Sequence, residues 1–298
     1  MALPPLYKYL NVEGAKKTLE NRTFRFAKPS EYEDLEDMTA QSLFPDELET
    51  ALKILQDGFV DVIVENPDAA PTCREKLRPK VAELQKIFRD NPKAAEAVRE
   101  GLKENPGAAG FDSEQWRTRS DAFVNEINEF MQNHRVFCVT TDKASDRMWR
   151  DYAQEDQGIA LRIEPCIEKD SKFQKFAPVT YQEKRPPIFP RTLDYAKETL
   201  FGDQAARARE SMDGIIYAKT EPYRFESEYR LAIPLGENEE DYRFLGYHPE
   251  EITELYLGAA MKDKDKADIV AKAKAVNPNI AFFQCKRDAK GQVTSTRV

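Results

Sequence analysis

Arg135-Val136-Phe137-Cys138-Val139-Thr140 decides the fold of this chain. Its β-branched and aromatic side chains suit a pleated, half-buried surface. It marks the return of strands after a long helical stretch. From about residue 45 to 134, Leu48, Leu52, Leu55, Phe59 and Ile63 recur at three- and four-residue steps, as one buried helical stripe requires. Leu77, Val81, Leu84 and Phe88 repeat the pattern, as do Trp116, Phe123, Ile127, Phe130 and Met131. The Asn66-Pro67, Asn91-Pro92 and Asn105-Pro106 steps punctuate these helices, with Asn as cap and Pro at the first helical position. Upstream, Leu6-Tyr7-Lys8-Tyr9 and Thr23 to Ala27 read as strands around a short helix carrying Val12, Ala15 and Leu19. Downstream, Gly158 opens a strand in which Ile159, Leu161 and Ile163 point one way. Further strands are expected at Pro178 to Glu183, Glu226 to Ile233, Ile252 to Leu257 and Asn279 to Cys285, with helices at about 192–212 and 264–275. Strands at both ends predict one α+β domain over residues 1–298. It is built on a single mixed or antiparallel sheet, with a helical insertion at 40–134.

Charge and composition then narrow the function. The 298 residues carry 45 basic and 53 acidic side chains, a net charge of −8. Eight acids and no Lys or Arg fall between Glu31 and Thr50, so this segment alone equals the net charge. That balance disfavours nucleic acid or an anionic membrane as partner. No apolar run approaches the roughly 20 residues of a membrane helix. The start lacks the blocks of a signal peptide, and four scattered cysteines suit the reducing cytoplasm. His134 and Cys138 could offer two metal ligands, but no second pair follows, so no metal is expected. Neither a Gly-rich phosphate loop nor a serine-nucleophile elbow occurs.

Three constellations remain. In Lys219-Thr220-Glu221-Pro222-Tyr223-Arg224-Phe225-Glu226-Ser227-Glu228-Tyr229-Arg230, read as a strand, Phe225, Tyr229, Leu231 and Ile233 line one face. Glu226, Glu228 and Arg230 share the other, spaced about 7 Å per step. The plain reading is a solvated face with a structural ion pair. The functional one is a pair of acids acting on a sugar or phosphate ester. In the second, Ser145 caps a helix that groups Met148, Trp149 and Tyr152. That face either closes the core or offers Trp149 or Tyr152 for stacking on a flat nucleotide ligand. In the third, Tyr7 and Tyr9 face away from Lys8, which could touch an anion near the sheet edge. The acidic segment 31–50 is ordinarily a soluble loop.

Taken in order, these stretches resemble a large bacterial family catalogued as domain of unknown function 2971. The likeness rests on Leu6 to Tyr9, Phe26 to Tyr32, Val136 to Thr140, Met148 to Ala153, Gln157 to Leu161, Lys219 to Leu231 and Leu255 to Ala259. Where that family has an Asn-Asp-Pro-Phe-type turn, this chain has Glu33-Asp34-Leu35-Glu36-Asp37, and only Asp34 carries over. The family is similar in arrangement to ADP-ribosyltransferase-like proteins and to parts of toxin or phage-defence systems. The resemblance implies cleavage of the nicotinamide glycosidic bond of NAD, with NAD as substrate. Glu226-Ser227-Glu228 would serve as a Glu-x-Glu motif, Glu228 steadying the oxocarbenium-like transition state and Glu226 positioning the acceptor. Tyr7 or Lys8 would contact NAD from the first strand, where such transferases carry Arg or His. The ligand-facing set is then Tyr7, Lys8, Trp149, Tyr152 and Arg230.

Two other functions compete. In one, the protein is a non-catalytic sensor or interaction module of a defence system, binding a protein partner through the helical insertion and segment 31–50, with Glu226, Glu228 and Arg230 as a structural network. In the other, it is a metal-dependent nuclease whose acids hold Mg²⁺, against which the net charge argues.

Overall fold

The computed structural model describes residues 3–105, 113–235 and 243–298. The chain opens with β1 (Leu6–Leu10), α1 (Val12–Asn21) and β2 (Thr23–Phe26). Four helices follow: α2 (Leu48–Glu65), α3 (Arg78–Asp90), α4 (Pro92–Glu104) and α5 (Ser113–Gln132). Next come β3 (His134–Thr140), α6 (Asp146–Asp151), β4 (Ile159–Ile163), β5 (Ala177–Pro178) and β6 (Thr180–Gln182). The helices α7 (Thr192–Phe201) and α8 (Gln204–Ile216) precede β7 (Ala218–Thr220) and β8 (Glu228–Pro234). The last elements are β9 (Arg243–Gly246), β10 (Ile252–Leu257), α9 (Asp263–Val276), β11 (Ala281–Arg287) and β12 (Val293–Arg297). Two compact units result. One takes Met1–Asp37, Gln132–Glu183 and Lys219–Val298, the other Met38–Met131 and Lys184–Ala218.

The first unit is α+β. Its eight-stranded sheet runs β12-β11-β10-β4-β1-β3-β8-β5. Every neighbouring pair is antiparallel except β10 and β11. Those two are joined through α9, since a parallel pair needs a crossover rather than a hairpin. Strand alternation gives the sheet two apolar faces. Leu6, Phe137, Val139, Ile159, Leu161, Leu255 and Leu257 pack with Ala15 and Leu19 of α1 and Ile269, Ala273 and Val276 of α9. Tyr7, Tyr9, Ala160, Tyr256 and Cys285 face the other way and are covered by Met148 and Trp149 of α6. With both faces covered, the central strands read as near-continuous apolar runs. The short helices start where side chains accept free amides: Asn11 Oδ1 from Gly14 N at 2.7 Å, and Ser145 Oγ from Met148 N at 3.4 Å.

In the second unit, the helices of 40–134 are packed with residues 184–218. The backbone amide of Ile188 donates to the Ser42 carbonyl at 2.9 Å. The Thr192 hydroxyl donates to Asp46 Oδ2 at 3.0 Å. The Tyr195 ring lies edge-on to those of Phe44, Trp116 and Phe189, at 5.4, 5.9 and 4.9 Å. No helix among the described residues is long and apolar enough to cross a membrane.

Several local expectations need correction. The side chain of Asn91 makes no cap bond at the start of α4, although Pro92 does occupy its first position. Asn66 ends α2 instead of starting a helix, its amide donating to the Val62 carbonyl at 2.7 Å. Pro106 lies outside the described residues. The helix expected at 192–212 breaks at Gly202, giving α7 and α8. Glu226 is not on a strand: Glu221–Glu226 form a 3-10 turn begun by Pro222, and Ser227 is left-handed with φ of 44°. β1 is an interior strand, so Lys8 is not at a sheet edge.

Two glycines of the quoted stretches mark where backbone meets backbone. A Cβ on Gly158 would stand 2.1 Å from the Leu10 carbonyl oxygen, and one on Gly258 2.0 Å from that of Asp156. The Leu10 carbonyl belongs to β1 and the Asp156 carbonyl accepts from Ala260 N at 3.0 Å, so neither is free to step aside. Gly158→Ala and Gly258→Ala should each cost about 1–3 kcal/mol or more in chemical denaturation. Gly101→Ala in α4, where nothing lies within 4 Å of the new Cβ, should instead gain about 0.5–1 kcal/mol.

Candidate functional site

The strand face shared by Tyr7, Tyr9 and α6 carries a buried charge cluster at its β3–β8 side. Arg230 pairs with Cys138 across the ladder, and Glu228 with Thr140. Alternation therefore turns both charged residues to the same face, while Leu231 enters the opposite core. Arg230 is 0% exposed and Glu228 5%. A guanidinium so placed must be neutralised by hydrogen-bonded partners. Arg230 Nε and Nη2 donate to Glu228 Oε1 and Oε2 at 2.6 and 3.1 Å. Its Nη1 and Nη2 donate to Asp37 Oδ1 and Oδ2 at 2.9 and 2.6 Å. This two-pronged geometry is available to arginine and not to lysine.

Lys219 joins the carboxylates from the other side. Its ammonium lies 2.6 Å from Glu226 Oε2, 3.3 Å from Glu228 Oε2 and 3.6 Å from Asp37 Oδ2. Asp37 is the last residue of the sheet unit before the chain passes to the helical one, and Lys219 the first after its return. Three carboxylates thus face two cations, leaving one negative charge in excess. Glu226, at the end of the 3-10 turn, is itself buried but reaches an exposed side chain. Its Oε1 accepts from the Tyr152 hydroxyl at 2.7 Å, and Tyr152 is 45% exposed. More tyrosines complete the surround. Glu228 N donates to the Tyr181 hydroxyl at 2.9 Å, and Lys219 lies 4.6 Å from the Tyr223 ring centre. The Tyr32 hydroxyl meets the Cys138 sulfur at 3.6 Å.

Burial and charge sort the proton affinities. Burial raises Glu226 above the usual carboxylate range, opposed by Lys219. Asp37 is likewise raised by burial, against the pull of Arg230. Burial also acts on Glu228, yet Arg230 and Lys219 together hold it well below that range. Burial pushes the Cys138 thiol up to about 12 and the Tyr181 phenol up to about 12. Cys138 is therefore a neutral thiol and no nucleophile at neutral pH. Chemically, the cluster sets one anion, Glu228, beside two carboxyls of raised proton affinity, Glu226 and Asp37, of which Glu226 is hydrogen-bonded to half-exposed Tyr152.

The structure brings Glu226, Glu228, Arg230 and Tyr152 together. Trp149 is not a stacking surface. It is 0% exposed, edge-on to Tyr9 at 5.1 Å, and its indole nitrogen donates to the Lys143 carbonyl at 2.9 Å. Tyr7 is buried with its ring 5.9 Å from that of Tyr256. Lys8 turns to the α1–α9 face, where its ammonium donates to the Cys138 carbonyl at 2.9 Å over the Phe137 ring; burial lowers its proton affinity. Sequence reading missed Asp37 and Lys219. Lys219 stands in the quoted 219–230 stretch, but nothing there tied it to the acids. Asp37 belongs to the acidic segment taken as a soluble loop, whereas it is 4% exposed. Asp34, the residue carried over by the resemblance, accepts from Glu36 N at 3.1 Å in its own turn.

Residues 148–231 match the family model described as Protein of unknown function (DUF2971). That segment, under a third of the chain, contains Tyr152, Lys219, Glu226, Glu228 and Arg230 but not Asp37. No curated protein and no solved structure matches the chain.

The opposed shifts predict a pH signature. Groups raised in the fold, Glu226 and Asp37, stabilise it below their unfolded values, and that contribution is lost as pH rises through the raised values. Glu228, depressed in the fold, stabilises it above its unfolded value and loses this progressively as pH falls from that value through the depressed one. Glu226→Gln leaves two acids against two bases. The amount by which wild type exceeds Glu226→Gln in melting temperature should shrink from pH 4 to pH 8. A gap widening with pH contradicts the assignment. Asp37→Ala, which strands one side of Arg230, should cost about 3–5 kcal/mol at pH 7 by urea denaturation.

Proposed function

We propose that the sheet unit is an enzyme that cleaves the nicotinamide glycosidic bond of NAD, in the ADP-ribosyltransferase-like manner implied by the sequence resemblance. The observation that carries this reading is the hydrogen bond between half-exposed Tyr152 and Glu226. It links a carboxyl of raised proton affinity to the surface of the molecule. The roles within Glu-x-Glu are redistributed. Glu228 is committed to Arg230 and Lys219 and acts as a fixed negative charge favouring an oxocarbenium-like centre. Glu226 is the reacting acid, positioned by Lys219 and reached through Tyr152. A toxin or phage-defence setting rests on the resemblance alone. The convergence of three carboxylates on Lys219 speaks against the nuclease reading, since its ammonium takes the place a divalent ion would need. Among the described residues, no group of three His, Cys, Asp or Glu is arranged for a metal.

One observation favours the interaction-module reading: both oxygens of Glu228 are saturated and Arg230 has no exposed surface. In that case the cluster serves stability alone. Leu35, 73% exposed between exposed Glu33 and Glu36, would then belong to the surface offered to a protein partner.

Nicotinamide release from NAD separates the two. Wild type should release it, Glu226→Gln should lose about 100-fold or more, and Tyr152→Phe about 10-fold, with both variants still folded. Absence of release by wild type, or full activity in Glu226→Gln, removes the enzyme reading.

A further inference from the structure

Three consecutive residues, Gln154, Glu155 and Asp156, have φ of 52°, 52° and 62°. None is glycine. Left-handed backbone brings each Cβ against the following carbonyl, so L-residues adopt it singly and seldom in runs. Such a run persists only where its surroundings over-determine it. Here they do. Glu155 N donates to the Arg150 carbonyl at 2.9 Å and Asp156 N to that of Trp149 at 3.2 Å, closing the end of α6. The Asp156 carbonyl accepts from Ala260 N at 3.0 Å. Its carboxylate is gripped by Arg287, Nε to Oδ2 at 2.5 Å and Nη2 to Oδ1 at 3.0 Å. Arg287 Nη1 also binds Asp146, the first residue of α6, and the Gly291 carbonyl at 2.6 Å.

One guanidinium from β11 therefore holds both ends of α6. That helix has six residues, too few to keep its own shape or direction. Tyr152 is its C-terminal cap residue and is 45% exposed. The position of its hydroxyl is therefore set by the backbone beneath it, which buried Met148 and Trp149 hold from within α6 and the strained turn holds from beyond its end.

We infer that Arg287 is a positioning residue for Tyr152. By clamping the left-handed turn Gln154–Asp156 to the start of α6, it places the Tyr152 hydroxyl on Glu226. This rests on the reading of Glu226 as the reacting acid, and it extends the site to the C-terminal hairpin of β11 and β12. Arg287 touches neither Tyr152 nor Glu226 and acts only through the turn.

Ring-labelled tyrosine NMR tests the inference without calling on activity. The Tyr152 ring carbon bearing the hydroxyl, assigned with Tyr152→Phe, should shift when Glu226→Gln is introduced into wild type. In Arg287→Ala that response should be lost, while the Tyr181 signal keeps its wild-type position. Adding Glu155→Gly to Arg287→Ala should restore at least half of the response, because glycine accepts the left-handed turn without a clamp. A general loss of packing would not be rescued in this way. If nicotinamide release is found, Arg287→Ala should lower kcat about 10-fold with little change in KM. An undiminished response in Arg287→Ala, or no rescue by Glu155→Gly, overturns the inference. If Arg287→Ala does not fold, Asp156→Asn decides in the same manner. Failure of NAD turnover with the NMR response behaving as stated leaves the positioning role standing and removes only the enzymatic reading.

Discussion

A guanidinium without any contact to water, Arg230, sets the terms for its whole neighbourhood. Burying such a charge alone is prohibitive, so β8 can occupy the sheet interior only if two carboxylates arrive with it. Glu228 comes from the same strand, two residues away, and costs no extra chain ordering. Asp37 comes from a distant turn, 193 residues from Arg230. That turn must be placed before the sheet face can close. Lys219 then follows, because Asp37 and Glu228 together with Glu226 would otherwise repel one another in a medium of low dielectric. Replacing such a network by apolar residues can be neutral or stabilising in other proteins. Stability alone does not call for an ionic network here, and the proposed role of Glu226 as the reacting acid gives it a use beyond holding the fold.

Much of the sheet was legible. β3, β4 and β10 stand within a residue of their expected limits, since their alternation matches the two covered faces. The apolar stripe of α1 and the range of α9 were equally plain. Elements went astray where a local conformation overrode periodicity. Phe225-Glu226-Ser227-Glu228 alternates like a strand, yet Pro222 starts a tight turn and Ser227 reverses its hand. The consequence is chemical: Glu226 approaches Lys219 and Tyr152 from a turn instead of standing one pleat from Glu228. The partnership of 38–131 with 184–218 had no local signal, because it depends on contacts such as Thr192 with Asp46.

The site was legible in its members and not in its assembly. Glu226, Glu228, Arg230 and Tyr152 could be named from residue type and spacing. Asp37 could not, as an acid in an acidic segment carries no mark of being buried. The −8 net charge also changes meaning. Segment 31–50 holds the whole excess by count, but Asp37 is spent on Arg230, so part of that acidity belongs to the interior.

Topology also dictates when the cluster can exist. Asp37 and Lys219 meet only after the intervening chain has closed on itself, a loop whose entropic cost must be met before the contact returns anything. Local hairpins and helices such as β11–β12 and α1 carry no such delay. The Asp37 arm of the network is therefore the part that waits on long-range closure, whereas Glu228 stands two residues from Arg230. Interactions absent from the transition state act on the unfolding rate and not on the folding rate. A late-closing Asp37 contact therefore acts on how long the native state, once reached, endures.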